Sequence, residues 1–119
     1  MSADKNIIQE KTYRFALKII QLYREMNPQK QFVLPQQLLK AGTSIGANVE
    51  EALGAQSRKD FISKMSIAYK EARETNYWLR LIRDSNVYTS NSLEYLISES
   101  NELNKILSSI IKTSKEKNS

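Results

Sequence analysis

The chain contains neither cysteine nor histidine in its 119 residues. The lack of cysteine excludes disulfide bonds and thiolate chemistry, and the lack of histidine removes the commonest acid–base group and transition-metal ligand. No apolar run approaches the roughly 20 residues that span a bilayer, and the N-terminal segment MSADKNIIQEK has no apolar signal core. We therefore expect a cytoplasmic protein that does not contact membranes. We also expect no catalytic residues, no metal and no cofactor.

Glycine and proline are scarce as well, with three and two residues respectively. An apolar fraction of 40% beside 26% charged residues favours a compact helical protein over a disordered chain. The length allows one core, so residues 1–119 are predicted to form a single domain.

Turn signals divide the chain into four segments in which apolar residues recur every three or four positions. The predicted helices cover about 4–26, 34–53, 57–84 and 90–113. The first is expected to end before Asn27-Pro28, and the tail KTSKEKNS is expected to fray. Short links between the helices predict an all-α, antiparallel, up-down-up-down four-helix bundle.

Several local features refine this prediction. Gly54 is expected to end the second helix as a left-handed cap, and Ser57 and Asp60 to begin the third with a variant of the capping box. Gly42 and Gly46 leave a bare strip for close backbone packing. The residues expected in the interior are Ile20, Ile45, Val49, Phe61, Met65, Ala68, Leu79, Leu103 and Leu107.

The first helix carries more apolar surface than one bundle needs. One of its apolar stripes contains Phe15, Ile19, Leu22 and Met26, and the other contains Tyr13, Ala16, Leu17, Ile20 and Tyr23. Together with the glycine strip, this excess predicts that the bundle forms oligomers.

The segment SIGANVEEALGAQSRKDFISKMSIAYKEARETNYWLRLI carries a family resemblance. Its matching residues are Ser44, Ile45, Asn48 and Glu51, then Ser57, Asp60 and Phe61, then Glu74 with Tyr77, Trp78 and Leu79. The set resembles the four helix bundle protein family, also known as the 23S rRNA-intervening sequence proteins. Ala52 departs from the glycine that is common at that position.

The resemblance implies an antiparallel four-helix bundle that assembles as a ring-shaped homopentamer. The accessory proteins of diversity-generating retroelements look similar, and they bind nucleic acid and work with a reverse transcriptase. RNA, DNA or a nucleic-acid enzyme is thus an implied partner. No catalytic residues are implied, because no molecular activity is established for most of the family.

Asn48 and Glu51 are predicted to lie on one helix face. They could form a functional pocket, or they could belong to a structural network in which Glu51 meets a cation such as Arg58. We favour the network. Glu51, Glu71 and Glu74 could suggest a carboxylate metal site, but neighbouring Lys70, Arg73 and Arg80 favour salt bridges instead. Similarly, Trp78, Tyr77 and Tyr69 could stack on bases, but we favour packing in the bundle or at a subunit interface.

Basic residues are the remaining candidates for a site, because the net charge of +5 comes mainly from the first and third helices. The candidates for phosphate contact are Lys11, Arg14, Lys18, Arg58, Lys59, Lys64, Arg80 and Arg83. A solvated face is the simpler explanation of such charges. The leading hypothesis is therefore a non-enzymatic, homo-oligomeric bundle that binds nucleic acid or accompanies a nucleic-acid enzyme. The alternative is a protein-interaction adaptor with no nucleic-acid role.

Overall fold

The structure is a computed structural model that describes residues 3–26 and 33–117. They form four α-helices: α1 (Ala3–Glu25), α2 (Val33–Leu53), α3 (Arg58–Asp84) and α4 (Asn91–Lys117). These two ranges contain no β-strand, which confirms the all-α prediction. The predicted stop at Asn27-Pro28 lies outside the described residues.

The predicted end of the fourth helix near residue 113 is four residues short, because α4 continues to Lys117, and the last two residues of the predicted frayed tail lie outside the described residues. This last stretch has mostly exposed side chains, so burial does not explain its helicity. Lys115 and Lys117 lie in the last turn, where positive charge interacts favourably with the helix dipole.

The helices pack in a closed cycle, α1 against α2, α2 against α3, α3 against α4, and α4 back against α1. Over the described residues the bundle measures 48 × 20 × 20 Å. Lys11 contacts Glu102, Lys18 contacts Glu99, and Glu25 contacts Tyr88. These contacts join α1 to α4 and to the residues just before α4.

The core contains every residue predicted for the interior except Ile20. Ile20 is half-buried, whereas Ile19 is fully buried and faces α2. The stripe that begins with Phe15 therefore faces the core, and the stripe that begins with Tyr13 lies on the outside. Prediction from spacing failed here because both stripes recur at helical spacing, so the spacing alone does not show which of them faces the other helices.

Close packing of α1 on α2 explains two of the glycines. A Cβ on Gly46 would lie 3.3 Å from the backbone oxygen of Thr12, and one on Gly42 would lie 2.9 Å from the side chain of Ile19. The prediction of close approach is confirmed. However, α1 of the same chain covers the strip, so the glycines give no support for oligomers.

The α2–α3 connection confirms one predicted cap and corrects another. Ser57 is the N-cap of α3, and its side chain accepts a hydrogen bond from the Asp60 backbone N–H at 3.0 Å. No described glycine has a positive φ, so Gly54 is not a left-handed cap. Its N–H instead bonds to the carbonyl oxygens of Glu50 and Glu51, which continues the helical pattern for one more residue.

Candidate functional site

The basic residues predicted on α1 are engaged in ion pairs. The pairs are Lys11–Glu102 at 2.7 Å, Arg14–Glu10 at 2.6 Å and Lys18–Glu99 at 2.8 Å. Hydrogen bonds to these glutamates of α4 raise the pKa of both Lys11 and Lys18. These two lysines join α1 to α4, and their charge is compensated within the chain.

Two predicted cations of α3 are paired in the same way. Lys64 contacts Glu51 at 3.0 Å, and this hydrogen bond raises the pKa of the lysine. Arg83 contacts Asp84 at 2.7 Å and Glu94 of α4 at 3.2 Å. Hydrogen bonding to Arg83 lowers the pKa of the Asp84 carboxyl.

Asn48 and Glu51 have separate partners within the chain. The Asn48 amide donates to the Ser44 carbonyl oxygen at 2.9 Å. The prediction that Glu51 pairs with Arg58 is wrong, because Glu51 forms its ion pair with Lys64. The last turn of α2 lies beside the second turn of α3, whereas Arg58 is exposed at the first position of that helix.

The glutamates considered for a metal site have other roles. Within residues 3–26 and 33–117, no group of three acidic side chains could hold a metal ion. Glu74 accepts a hydrogen bond from the Trp78 indole N–H at 3.3 Å. The pKa of Glu71 is raised, mainly because the side chain is partly buried and secondly because the charge of Glu74 is near. The charges of Lys70 and Lys40 oppose this shift.

The outward face of α3 presents a line of exposed side chains that we call the α3 outer stripe. Its members recur every three or four residues and so share one side of the helix, away from the core: Lys59, Ser63, Ile67, Lys70, Arg73, Tyr77 and Arg80. None of its four cations forms an ion pair with any residue whose side chain the structure describes. Arg80 instead donates to the Asn76 side-chain oxygen at 2.8 Å.

Sequence reasoning identified only part of this stripe. Lys59 and Arg80 were among the candidates, but Lys70 and Arg73 were interpreted as partners for glutamates. Lys70 lies seven residues before Tyr77, and Arg73 lies seven residues before Arg80, so their spacing was a usable signal of a shared helix face. It was overlooked because the neighbouring acids suggested charge pairs that do not form.

Aromatic rings accompany the cations of the stripe. The Tyr77 side chain is 47% exposed, and its ring meets the ring of Trp78 edge to face, with centroids 5.2 Å apart. The Arg80 guanidinium lies over the Tyr77 ring at 6.0 Å, and that of Arg73 lies over the Tyr69 ring at 5.8 Å. Trp78 and Tyr69 pack against the core, as predicted, whereas Tyr77 faces outward.

The outer apolar stripe of α1 borders a groove against α2, which we call the α1–α2 groove. Its volume is about 400 Å³, and its lining includes Tyr13, Leu17, Ile20 and Ala47. Tyr13 and Leu17 are 63% and 52% exposed. The excess apolar surface expected on the first helix therefore lies on the outside of the single chain.

None of the described helices is both long enough and apolar enough to cross a membrane. A comparison with curated protein sequences gives no match. Among solved structures, a similar one is a protein of unknown function from the S23 ribosomal protein family of Bacteroides thetaiotaomicron. It is 48% identical, with a TM-score of 0.86 over 92% of this chain and 98% of that one.

The resemblance of the central segment extends over almost the whole chain. The sequence model of the 23S rRNA-intervening sequence protein family matches residues 4–109, which include all of α2 and α3 and most of α1 and α4. The chain belongs to the 23S rRNA-intervening sequence protein family.

Proposed function

We propose that the chain is a non-enzymatic, homo-oligomeric, antiparallel four-helix bundle that binds nucleic acid through the α3 outer stripe. The observation that carries the proposal is the set of exposed cations at Lys59, Lys70, Arg73 and Arg80, which form no ion pair with a described residue. Exposed cations that are not held in an ion pair are available to replace the counterions of phosphates. The name of the similar structure refers to a ribosomal protein family, which supports RNA as a partner.

Charge compensation separates this stripe from the paired candidates on α1 and α3, whereas Arg58, which is exposed beside Lys59, forms no ion pair with a described residue either. Lys11, Lys18 and Lys64 would have to give up a glutamate before they could contact a phosphate. The cations of the stripe would give up no such partner. We therefore place the basic surface on α3, and the role of the paired candidates stays a prediction.

Self-association would strengthen phosphate binding by repeating the stripe. A ring of five chains would carry a net charge of about +25, five times the +5 of one chain, and such a field attracts polyanions at low salt. The α1–α2 groove supports the oligomer, because Tyr13 and Leu17 leave apolar surface on the outside of the chain. We propose the homopentamer implied by the family resemblance.

Replacement of Leu17 by glutamate should dissociate the oligomer, because it places a charge in the apolar groove. Light scattering at micromolar concentration should give about five times the 13.7 kDa chain mass for the unchanged chain and a lower mass for the variant. Ile67→Glu is the matched control, since Ile67 is 38% exposed on α3 and lies outside the groove. A monomeric unchanged chain would refute the assembly, and an intact Leu17→Glu oligomer would exclude this groove as its interface.

Charge reversal in the stripe should weaken binding to nucleic acid. For the double variant Lys70→Glu, Arg73→Glu we expect at least a roughly tenfold loss of affinity at low salt. The log–log salt slope should also become shallower by about 1 for each lost phosphate contact. Fluorescence anisotropy over a salt series measures both quantities.

The control for charge reversal is Lys105→Glu, Lys112→Glu, which changes two exposed lysines of α4 and alters the net charge by the same amount. We expect this control to retain most of the affinity. Equal losses in the two double variants would show that only net charge matters. Unchanged binding in the stripe variant would move the site away from α3.

The second candidate function is a protein-interaction adaptor without a nucleic-acid role. The α1–α2 groove favours it, because exposed apolar surface of this kind suits a partner protein, such as a nucleic-acid enzyme, as well as another copy of the chain. The anisotropy experiment separates the candidates. If neither RNA nor DNA binds even at low salt, the adaptor becomes the better explanation.

A further inference from the structure

We infer that the nucleic acid bound by the α3 outer stripe is single-stranded and that one of its bases stacks on Tyr77. This inference rests on the proposed function and adds the class of nucleic acid and the residue that recognises it. Proteins that bind single strands combine a line of cations for the backbone with exposed aromatic rings for the bases. The stripe has both components.

The shape of the bundle disfavours a duplex as the partner of this face. An α-helix can read duplex DNA from the major groove, which is about 12 Å wide. Here α3 is flanked by α2 and α4, and the bundle is 20 Å across. The stripe could therefore contact only the outer phosphates of a duplex, whose base faces are stacked inside and closed to Tyr77.

The dimensions of the stripe suit an extended strand. Lys59 and Arg80 are separated by 21 residues of continuous helix, which corresponds to about 32 Å at a rise of 1.5 Å per residue. Lys70 and Arg73 lie between these ends, and Tyr77 lies between Arg73 and Arg80. A single strand along this line meets cations on both sides of the aromatic ring.

The ring of Tyr77 is held in place before any ligand binds. Trp78 supports it edge to face, and Trp78 is itself fixed by the core and by its hydrogen bond to Glu74. A ring that is already ordered loses little conformational entropy when a base stacks on it. Arg80, which lies over the same ring, can add a cation–π contact to a stacked base.

A second copy of this chain fits the stripe less well than a polyanion does. Burial of Lys70, Arg73 and Arg80 in a protein interface would desolvate three charges that form no ion pair with a described residue. Phosphates supply the complementary charge at regular intervals. Charge complementarity therefore favours a nucleic acid as the occupant.

The test measures the anisotropy of labelled oligouridylate, oligothymidylate and a mixed-sequence duplex, with the full chain as titrant. Strands of about 20 nucleotides exceed the site sizes of about 4–16 nucleotides found in known single-strand-binding domains. Both single strands should bind more tightly than the duplex, because every base has a face available for stacking. Tyr77→Ala should weaken single-strand binding about 5- to 150-fold, the effect of one stacked base, and leave duplex binding unchanged.

Three variants complete the design. Tyr95→Ala is the matched control, because Tyr95 is 55% exposed on α4 and should not affect binding. Tyr77→Phe should retain single-strand affinity, because it keeps the aromatic face. Tyr77→Leu should lose that affinity while it keeps an apolar residue in the helix, so a folding defect in Tyr77→Ala does not decide the outcome.

The results test the inference about Tyr77 and the proposed function separately. Equal affinity for single strands and duplex, or an unchanged affinity in both Tyr77→Ala and Tyr77→Leu, would overturn the inference. The charge-reversal variant would still test the proposed function. Loss of binding in that variant without an effect at Tyr77 leaves a phosphate-binding stripe that does not stack bases.

Discussion

Replacement of Phe61 by alanine is expected to lower the free energy of unfolding by about 3–5 kcal/mol, the cost that is typical when a large core side chain is removed. Phe61 is 8% exposed and belongs to the hydrophobic core at the start of α3. The surrounding helices can close only part of the cavity that the ring leaves. Denaturant titration followed by circular dichroism measures the change.

Tyr95→Ala serves as the control, because it also truncates an aromatic residue but at a position that is 55% exposed. It should cost less than about 1 kcal/mol. Phe15→Ala, at a fully buried position of α1, should cost at least as much as the change at Phe61. A loss below about 1 kcal/mol for Phe61→Ala would contradict its place in the core.

Replacement of Gly46 by leucine should be at least as damaging, since it forces a side chain against the backbone of α1. Even a Cβ at this position would lie 3.3 Å from the backbone oxygen of Thr12, and backbone yields less readily than the end of a side chain. Overpacking usually costs about 1–3 kcal/mol and occasionally more. We expect a loss above about 3 kcal/mol, measured as the shift of the denaturant midpoint.

Gly54→Leu is the matched control for this prediction. A Cβ on Gly54 would meet its nearest neighbour at 3.8 Å, an ordinary contact, and the residue has no positive φ. The same exchange should therefore cost less than about 1 kcal/mol there. Similar losses at Gly46 and Gly54 would show that helix–helix contact is not the reason for the glycine at position 46.

Most of the fold could be predicted from the sequence because its signals are local. The spacing of Phe61, Met65 and Ala68 marks a buried helix face, and Ser57 marks where α3 begins. Ile20 shows the limit, since a helix with two apolar stripes does not reveal which of them its neighbours cover. Gly54 shows another limit, because a glycine at a helix end is compatible with several backbone conformations.

The candidate site was harder to predict because it depends on contacts between helices. Whether Lys11 or Lys70 is free to bind a phosphate is decided by a glutamate on another helix, which in the case of Lys11 is 91 residues away. Residue spacing alone predicts which side chains share a face but not which charges meet across the bundle. For this reason Lys70 and Arg73 emerged only from the structure.

One side of α3 is buried in the core and the other is exposed, and this difference affects which substitutions the helix tolerates in evolution. Phe61, Met65, Ala68 and Ala72 face the core, whereas the outer stripe makes few demands on packing. Substitutions along the stripe can therefore accumulate without loss of the bundle, so related chains can differ in the charge of this surface on a shared scaffold. The same freedom makes α3 a suitable place to engineer new binding specificities.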